Sequence, residues 1–253
     1  MVLEFLTTLT QEGYRIFSVN EARAVVEGMG LKVSSTSYLI KALLTKKAIR
    51  QLFKGLYALE DHLLAGAPLH KFEIAMHLVK TGSINCWSAM SYYELTDQVL
   101  STVYILTPYK AANKRPKYYY KIDGYEYVII PIIEDNFWGI KRIFIGETKL
   151  SISDLERTLL DGLIRPNYCG GFREVLNAFL IAKDEMNIKK IIEYSQRCSI
   201  AVQKRLGWVL TQLSKKNIDY QLSISEKYYF DKLDPSGPRR GKLNKQWMIM
   251  ENF

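Results

Sequence analysis

The stretch from residue 31 to residue 59 reads LKVSSTSYLIKALLTKKAIRQLFKGLYAL and contains no acidic residue. Its cationic side chains are Lys32, Lys41, Lys46, Lys47, Arg50 and Lys54. Residues 34–45 place apolar side chains at helical spacing, so one side of the predicted helix would pack on a core. The other side would offer polar and cationic groups, which is the pattern of a helix that lies in the major groove of DNA.

The two sides of this helix are distinguished by residue spacing. The apolar side carries Leu39, Ile40, Leu43 and Leu44. The polar side carries Ser34, Tyr38, Lys41 and Thr45. We expect the base edges to be met at or near this polar side by Ser35, Thr36, Tyr38 and Lys41. We expect the DNA phosphates to be met by Lys46, Lys47, Arg50 and Lys54.

Two further helices are predicted in front of this stretch. Residues 3–9 have helical apolar spacing and give the first. Ser18 and Glu21 have the spacing of a capping box, which predicts that a second helix begins there and ends near Met29. Ser34 or Ser35 would then cap the third helix.

Residues 49–59 alternate polar and apolar side chains around Gly55, which predicts two short strands joined by a turn. Three helices followed by such a ribbon predict a winged helix-turn-helix domain over residues 1–60, with Lys54 at the tip of the wing. The alternative is a small helical subdomain whose basic face serves solubility alone.

The rest of the chain predicts a larger mixed α+β domain. Gly66 and Pro68 interrupt the periodicity, so residues 61–70 are interpreted as a linker and residues 71–253 as the second domain. Asp123-Gly124 lies between two strand-like runs and predicts a hairpin turn of type I′. Helical spacing is found near residues 72–79, 86–94, 153–165, 172–182, 188–197 and 201–213, and further strands near residues 99–106, 140–145, 228–233 and 246–250. The predicted fold class is therefore α+β.

Composition favours an anionic partner. The chain has 253 residues, a formal net charge of +9 and a pI near 9.3, although charge alone does not separate DNA from RNA, acidic protein or a membrane surface. No apolar run is long enough for a membrane span, and the N-terminus lacks the features of a signal peptide, so we expect a cytoplasmic protein that does not bind membranes. The spacing of the three cysteines and three histidines suggests neither disulfides, a metal site nor a cofactor.

Two more basic segments lie in the second domain. The first interleaves cations with aromatic rings and includes Lys110, Lys114, Arg115, Lys117 and Tyr118. It could contact nucleic acid or an acidic partner, or it could be a solvated loop that leads into an edge strand. The second contains Arg239 and Arg240, which could hold an anionic partner or belong to an ordinary hairpin loop.

Catalysis is not expected from the sequence. Asp135 followed by Glu147-Thr148-Lys149 can be aligned with the carboxylates and lysine of a magnesium-dependent nuclease, but this short pattern arises easily by chance. Asp154 and Asp161 are more simply interpreted as helix-dipole partners and surface charges. No phosphate-binding glycine loop and no recognised nucleophile motif is present.

The order of several short motifs resembles the AbiEi-type antitoxins of type IV toxin-antitoxin systems, which are associated with abortive phage infection. The motifs that carry this resemblance are FKGLYA at residues 53–58, CWSAM at 86–90, ELT at 94–96, ISDLERTLLD at 152–161, GGF at 170–172 and RLG at 205–207. Each motif is weak alone, but their sequence extends over nearly the whole chain.

The resemblance implies two activities. The winged domain would bind inverted repeats in the promoter of its own operon, where two copies on a repeat would act as a dimer on double-stranded DNA. The larger domain would neutralise a cognate nucleotidyltransferase-like toxin. The alternatives are a transcriptional repressor whose second domain senses a small ligand and, less favoured, a magnesium-dependent nuclease.

Overall fold

Helices and strands are mixed along the chain, and the α+β class expected from the sequence is confirmed. The computed structural model describes residues 1–64, 67–109, 118–146, 148–214 and 229–253. The chain divides into two compact units. The first comprises Met1–Lys80, Lys121–Tyr125 and Phe144–Lys149, and the second comprises Thr81–Tyr120, Glu126–Ile143 and Leu150–Phe253.

The first unit combines helices with a small antiparallel sheet. Its helices are α1 (Val2–Gln11), α2 (Val19–Gly28), α3 (Thr36–Thr45) and α4 (Lys71–His77). Its three-stranded sheet contains β1 (Ile16–Ser18), β2 (Ile49–Phe53) and β3 (Leu56–Leu59) in the order β1-β3-β2. The helices and the β2–β3 ribbon lie where the sequence predicted them. The sequence did not predict β1, which pairs Phe17 with Tyr57 and so joins the ribbon to the helical part.

The apolar faces of α1, α2 and α3 meet in one core. Its fully or almost fully buried members include Phe5, Leu9, Val25, Val26, Leu39 and Leu43. The predicted capping box at the start of α2 is confirmed, since the Ser18 hydroxyl accepts the Glu21 N–H at 3.2 Å and the Glu21 carboxylate accepts the Ser18 N–H at 2.6 Å. Two otherwise orphaned backbone donors are thereby satisfied.

The compact first unit continues past residue 60, where the sequence placed the end of the winged domain. Arg15, just before β1, donates to the Glu73 carboxylate on α4 at 2.9 Å and to the Ala67 carbonyl at 2.8 Å. Glu73 is itself almost fully buried. These contacts hold the segment predicted as a linker, and α4 after it, against the first unit.

A six-stranded sheet supplies most of the strands of the second unit. Its members are β4 (Ser83–Ile84), β5 (Thr102–Tyr109), β6 (Tyr119–Ile122), β7 (Tyr125–Ile133), β8 (Ile140–Ile145) and β9 (Thr148–Ser153), in the order β6-β7-β5-β4-β9-β8. The type I′ turn expected between β6 and β7 is supported by the positive φ angles of Asp123 (49°) and Gly124 (78°). The β8 strand matches its prediction, whereas β4 and β9 were not predicted.

Five helices and a small sheet complete the second unit. The helices are α5 (Cys86–Tyr92), α6 (Leu155–Ile164), α7 (Phe172–Ile181), α8 (Ile188–Ser195) and α9 (Ile200–Ser214). The small sheet has the order β10-β12-β11 and contains β10 (Asp231–Lys232), β11 (Lys242–Asn244) and β12 (Ile249–Glu251). Helix α6 is central, because it contacts α5, α7, α8 and α9.

Candidate nucleic-acid interface

Helix α3 is amphipathic in the sense that the sequence predicted. Leu39, Ile40 and Leu43 are at most 5% exposed and face the core of the first unit. Tyr38 is 60% exposed, and the three other exposed positions of the helix are Ser37, Lys41 and Thr45. Because successive helical residues turn by 100°, these four side chains share one sector of about 100°. A solvent-facing strip of hydroxyl, phenol and ammonium groups results.

Ser37 is the member of this strip that the sequence analysis missed. It precedes Lys41 by four residues and Thr45 by eight, so all three follow one line along the helix. The spacing of four residues between Ser37, Lys41 and Thr45 is visible in the sequence and could have identified it. Its hydroxyl can accept or donate a hydrogen bond at a base edge.

Thr36 does not belong to the exposed strip, which corrects the expectation that it meets a base edge. Its side chain is 2% exposed, and its hydroxyl donates to the Val33 carbonyl at 2.7 Å. This contact closes a short 3-10 turn, Val33–Ser35, in front of α3. Ser35 is half-buried and occupies the N-cap position, as the sequence predicted, but its side chain forms no capping bond.

Five lysines between residues 32 and 54, one of them in the strip, are exposed. They are Lys32, Lys41, Lys46, Lys47 and Lys54. Within the described residues no carboxylate lies within ion-pair distance of any of them. Within that part of the chain their positive charges face solvent, where DNA phosphates could bind them.

Lys54 is presented by a turn that is tied to the start of α2. The turn joins β2 to β3, and Gly55 adopts a φ of +84° there. The Gly55 carbonyl accepts the Val19 N–H at 3.0 Å. This bond restrains the turn, so Lys54 is held on a defined backbone rather than at the end of a free loop.

The Arg50 side chain is held by contacts within the protein, whereas the sequence predicted that it meets a DNA phosphate. Its side chain is only 24% exposed and lies near three carboxylates, those of Glu60, Asp61 and Asp123, at 3.5, 3.5 and 3.1 Å. It also donates to the Leu59 carbonyl at 3.2 Å. A guanidinium with these partners would have to give up several contacts before it could bind a phosphate.

The two additional basic segments are described by the structure to different extents. Lys110, Lys114, Arg115 and Lys117 lie outside the described residues, while Tyr118 is 38% exposed. Arg239 and Arg240 are both exposed on a loop that Asn252 organises. The Asn252 side chain accepts the Asp234 N–H at 2.9 Å and donates to the Pro238 carbonyl at 2.8 Å.

Polar residues of the ISDLERTLLD motif form a buried network in the second unit. Asp161 is fully buried, which overturns the expectation of a surface charge, and accepts hydrogen bonds from Arg157 at 3.1 Å and Asn85 at 3.2 Å. Arg157 is 2% exposed and donates also to the Asn136 carbonyl. Such a network fixes the position of α6, because a buried charge without these partners would be costly.

Two other acidic residues of the motif are engaged in structural contacts. Asp154 caps α6 by accepting the Arg157 N–H at 2.9 Å and pairs with Lys190 at 3.0 Å. Glu156 accepts Lys190 at 2.8 Å and the Asn187 N–H at 3.0 Å. Burial opposes the ionisation of Glu156, but these hydrogen bonds outweigh it and lower the pKa of its carboxyl.

The residues considered for a nuclease site are not assembled by the described structure. Asp135 lies on an exposed 3-10 turn, and Glu147 falls outside the described residues. Among the described residues no cluster of three or more His, Cys, Asp and Glu side chains could hold a metal ion. Within that same part of the chain, no helix is both long enough and apolar enough to cross a membrane.

Comparison with known proteins identifies a similar solved structure. No family model matches the chain, and no curated protein gives a significant match. The crystal structure of the RV2827C protein from Mycobacterium tuberculosis is similar with a TM-score of 0.64 and 12% sequence identity. The match covers 96% of this chain and 88% of that chain. Identity this low shows a shared fold alone, so the chain has the mixed α+β architecture of that protein over almost its whole length.

Proposed function

We propose that this chain is a DNA-binding transcriptional autorepressor and antitoxin that neutralises a cognate nucleotidyltransferase-like toxin. In this proposal the first unit is a winged helix-turn-helix that binds inverted repeats in its own promoter. The second unit contacts the toxin. The protein acts in the cytoplasm by binding rather than by catalysis.

The order of elements in the first unit supports the DNA-binding half. A helix, a strand, two helices and a two-stranded ribbon follow one another, and the ribbon pairs with the early strand β1. A winged helix-turn-helix uses this order to expose its last helix and its ribbon together. Helix α3 would be the recognition helix and the β2–β3 turn would be the tip of the wing.

The observation that carries the proposal is the unpaired charge on this helix and turn. Lys41 on α3 and Lys54 at the turn are exposed, and no carboxylate of the described residues pairs with either. Solubility alone would be served equally well by lysines interspersed with acids. A run from residue 31 to residue 59 without one acidic residue instead favours a polyanion.

Binding to promoter DNA tests this half directly. The full chain should bind its own upstream DNA more tightly than a random duplex of equal length, with an affinity that falls steeply as salt rises. The double variant Lys41→Ala, Lys54→Ala should bind both duplexes more weakly and lower the slope of log affinity against log salt by about one, because Lys54 is the phosphate contact of the pair and Lys41 lies at a base edge.

A matched control is available in the second unit. Lys183 and Lys189 are also exposed, so Lys183→Ala, Lys189→Ala removes the same net charge elsewhere. Its salt slope should remain that of the native chain. If the two double variants were equally impaired, attraction would come from total charge and the proposed interface would be wrong.

The antitoxin half is supported by the resemblance described above and needs a separate test. The full chain should restore growth when it is co-expressed with the nucleotidyltransferase-like product of an adjacent gene. The variant Lys41→Ala, Lys54→Ala should still restore growth, because the toxin would be contacted by the second unit. If the native chain failed to restore growth, neutralisation of the toxin would be contradicted. DNA binding would still be tested separately by the duplex-binding experiment.

A further inference from the structure

A cleft of about 180 Å³ in the second unit is lined by three arginines, Arg157, Arg165 and Arg197. Arg157 and Arg165 project from α6 and the residue after it, while Arg197 lies in the turn between α8 and α9. Cys198 and Ser199 of the same turn also line the cleft. Elements far apart in sequence therefore bring three guanidinium groups to one small space.

The charge of this cleft is not balanced by its acidic neighbour. Asp161 lies 3.1 Å from Arg157 and 3.6 Å from Arg165, so one carboxylate is shared by two guanidinium groups. Arg197 is exposed, and no carboxylate of the described residues lies within ion-pair distance of it. Three positive charges against one negative charge leave an excess that an anion could neutralise. Arg157 is 2% exposed and holds Asp161 and the Asn136 carbonyl, so it contributes charge, while Arg165 and Arg197 are the groups that an anion could contact.

The Cys198 thiol lies within the field of these same groups. Burial raises the pKa of Cys198 to about 11, and the positive charges of the three arginines oppose that rise while Asp161 adds to it. All four charged groups thus act on the thiol of a residue that lines the cleft. The sum of the charges of these four groups is positive.

Backbone hydrogen-bond donors lie next to the lining residues Ser199 and Val202. Helix α9 begins directly after Ser199, and the Val202 N–H already donates to the Ser199 carbonyl at 2.9 Å. The N–H groups of Ile200 and Ala201, in the first turn of the helix, have no acceptor within it. These donors suit a ligand that brings several acceptor oxygens and a negative charge.

We propose that this cleft binds a tetrahedral oxyanion, either inorganic phosphate or the phosphate group of a small phosphate ester. The ring of Trp138, which also lines the cleft, is already covered: the guanidinium carbons of Arg157 and Arg197 lie 3.9 Å and 5.1 Å from its centre, and the Tyr194 ring centre lies 5.0 Å from it. Little aromatic surface remains for stacking a base, so the phosphate group rather than a nucleobase provides the recognition. The site lies within the second unit and does not depend on DNA binding by the first.

Calorimetric titration of the full chain with inorganic phosphate, at constant ionic strength in chloride, tests the proposal. Arg197→Ala should weaken phosphate binding by about tenfold or more, as expected for the loss of a charge-assisted hydrogen bond. Arg173→Ala is the matched control, because Arg173 is an exposed arginine of α7 outside the cleft. Its affinity for phosphate should stay within about twofold of the native value.

Alkylation of Cys198 gives a second measurement of phosphate binding that does not rely on the heat of binding. Phosphate should slow modification of this thiol in the native chain and in Arg173→Ala, but not in Arg197→Ala. Glycerol 3-phosphate as competitor distinguishes the sources: competition indicates a site for phosphate esters, and its absence indicates a site for free phosphate. The proposal is overturned if phosphate binds no better than chloride, if Arg197→Ala binds normally, or if both arginine variants weaken binding equally.

Discussion

Arg50 Nη2 lies 3.1 Å from Asp123 Oδ2, although 73 residues separate the two in sequence. The contact joins strand β2 to the turn between β6 and β7, which belongs to the first compact unit. It explains why the one arginine of the basic stretch is held by carboxylates, while the exposed lysines of that stretch have no such partner among the described residues. Charge in a sequence identifies candidates for DNA contact, and their partners decide which of them are available.

Arg50→Ala should destabilise the first unit more than it changes DNA binding. The variant loses contacts with three carboxylates and the Leu59 carbonyl, for which we expect a loss of about 1–2 kcal/mol in the free energy of unfolding. Urea denaturation followed by circular dichroism and tyrosine fluorescence measures the loss, because the four tryptophans all lie in the second unit. Lys54→Ala serves as the control and should change stability by less than about 0.5 kcal/mol. A stable Arg50→Ala protein with a reduced salt slope would restore Arg50 as a phosphate contact.

Lys54→Ala should weaken binding to every DNA sequence by a similar factor. Lys54 is exposed on a restrained turn, and a phosphate contact there carries no sequence information. Removal of one such contact should lower the slope of log affinity against log salt by about one. Fluorescence anisotropy with promoter and random duplexes at several salt concentrations measures both effects. A loss confined to the promoter duplex would argue against a phosphate contact.

Tyr38→Ala should change the preferred DNA sequence and leave the salt slope almost unaltered. Tyr38 is 60% exposed on α3, and its uncharged phenol can reach bases through its hydroxyl and ring. Selection from a randomised operator library, compared between the native chain and the variant, would show the altered preference. Tyr38→Phe separates the hydroxyl from the ring. An unchanged selected sequence in Tyr38→Ala would remove this residue from the proposed reading surface.

Glu156→Gln should be destabilising at neutral pH and almost neutral in acid. The pKa of Glu156 is lowered on folding, because hydrogen bonds from Lys190 and the Asn187 N–H outweigh the opposing effect of burial. A lowered pKa in the folded state gives stability that is present above the ordinary value of 4.5 and disappears as pH falls through the folded value. We expect a difference of about 2 kcal/mol near pH 7 that narrows between about pH 5 and pH 3.

Unfolding by urea across this pH range tests the Glu156 prediction. Glu185→Gln is the matched control, because Glu185 is exposed and has no ion pair in the described residues. Its stability should follow that of the native chain within about 0.5 kcal/mol at every pH. If the loss in free energy of unfolding caused by Glu156→Gln stayed constant down to pH 3, that loss could not come from an ionised carboxylate.

Local sequence patterns predicted the local structure well. Ser18 and Glu21 form the expected capping box, and Asp123-Gly124 forms the expected tight turn. Both features depend on residues at most three positions apart, so their chemistry is visible in the chain. The face of α3 was also predictable from its period, although Thr36 was wrongly included and Ser37 was missed.

Features that depend on distant residues were missed. Nothing near Asp161 in sequence shows that Asn85, 76 residues earlier, donates to it in the interior. Strand β4 has only two residues, too few for an alternating pattern, and is a strand because β5 and β9 lie on either side of it. The phosphate cleft likewise combines Arg157 with Arg197, whose proximity requires the packing of α6 beside α8 and α9.

Gly207, in the RLG motif that contributed to the family resemblance, tests whether close packing explains a residue of such a motif. A Cβ atom at Gly207 on α9 would overlap the ring of Trp247, which is 5% exposed and donates to Thr211 at 3.0 Å. Gly207→Ala should therefore destabilise the second unit by about 1–3 kcal/mol, even though alanine favours a helix by about 1 kcal/mol.

Gly28, at the end of α2, is the matched control for Gly207. No atom lies within 4 Å of a Cβ built there, so Gly28→Ala should be neutral or slightly stabilising. Thermal unfolding and the near-ultraviolet circular dichroism of the tryptophans compare the two variants. If Gly207→Ala were as stable as Gly28→Ala and kept the native spectrum, close packing would not account for the glycine. A contact made by the RLG motif outside this chain would then become the better explanation for that residue.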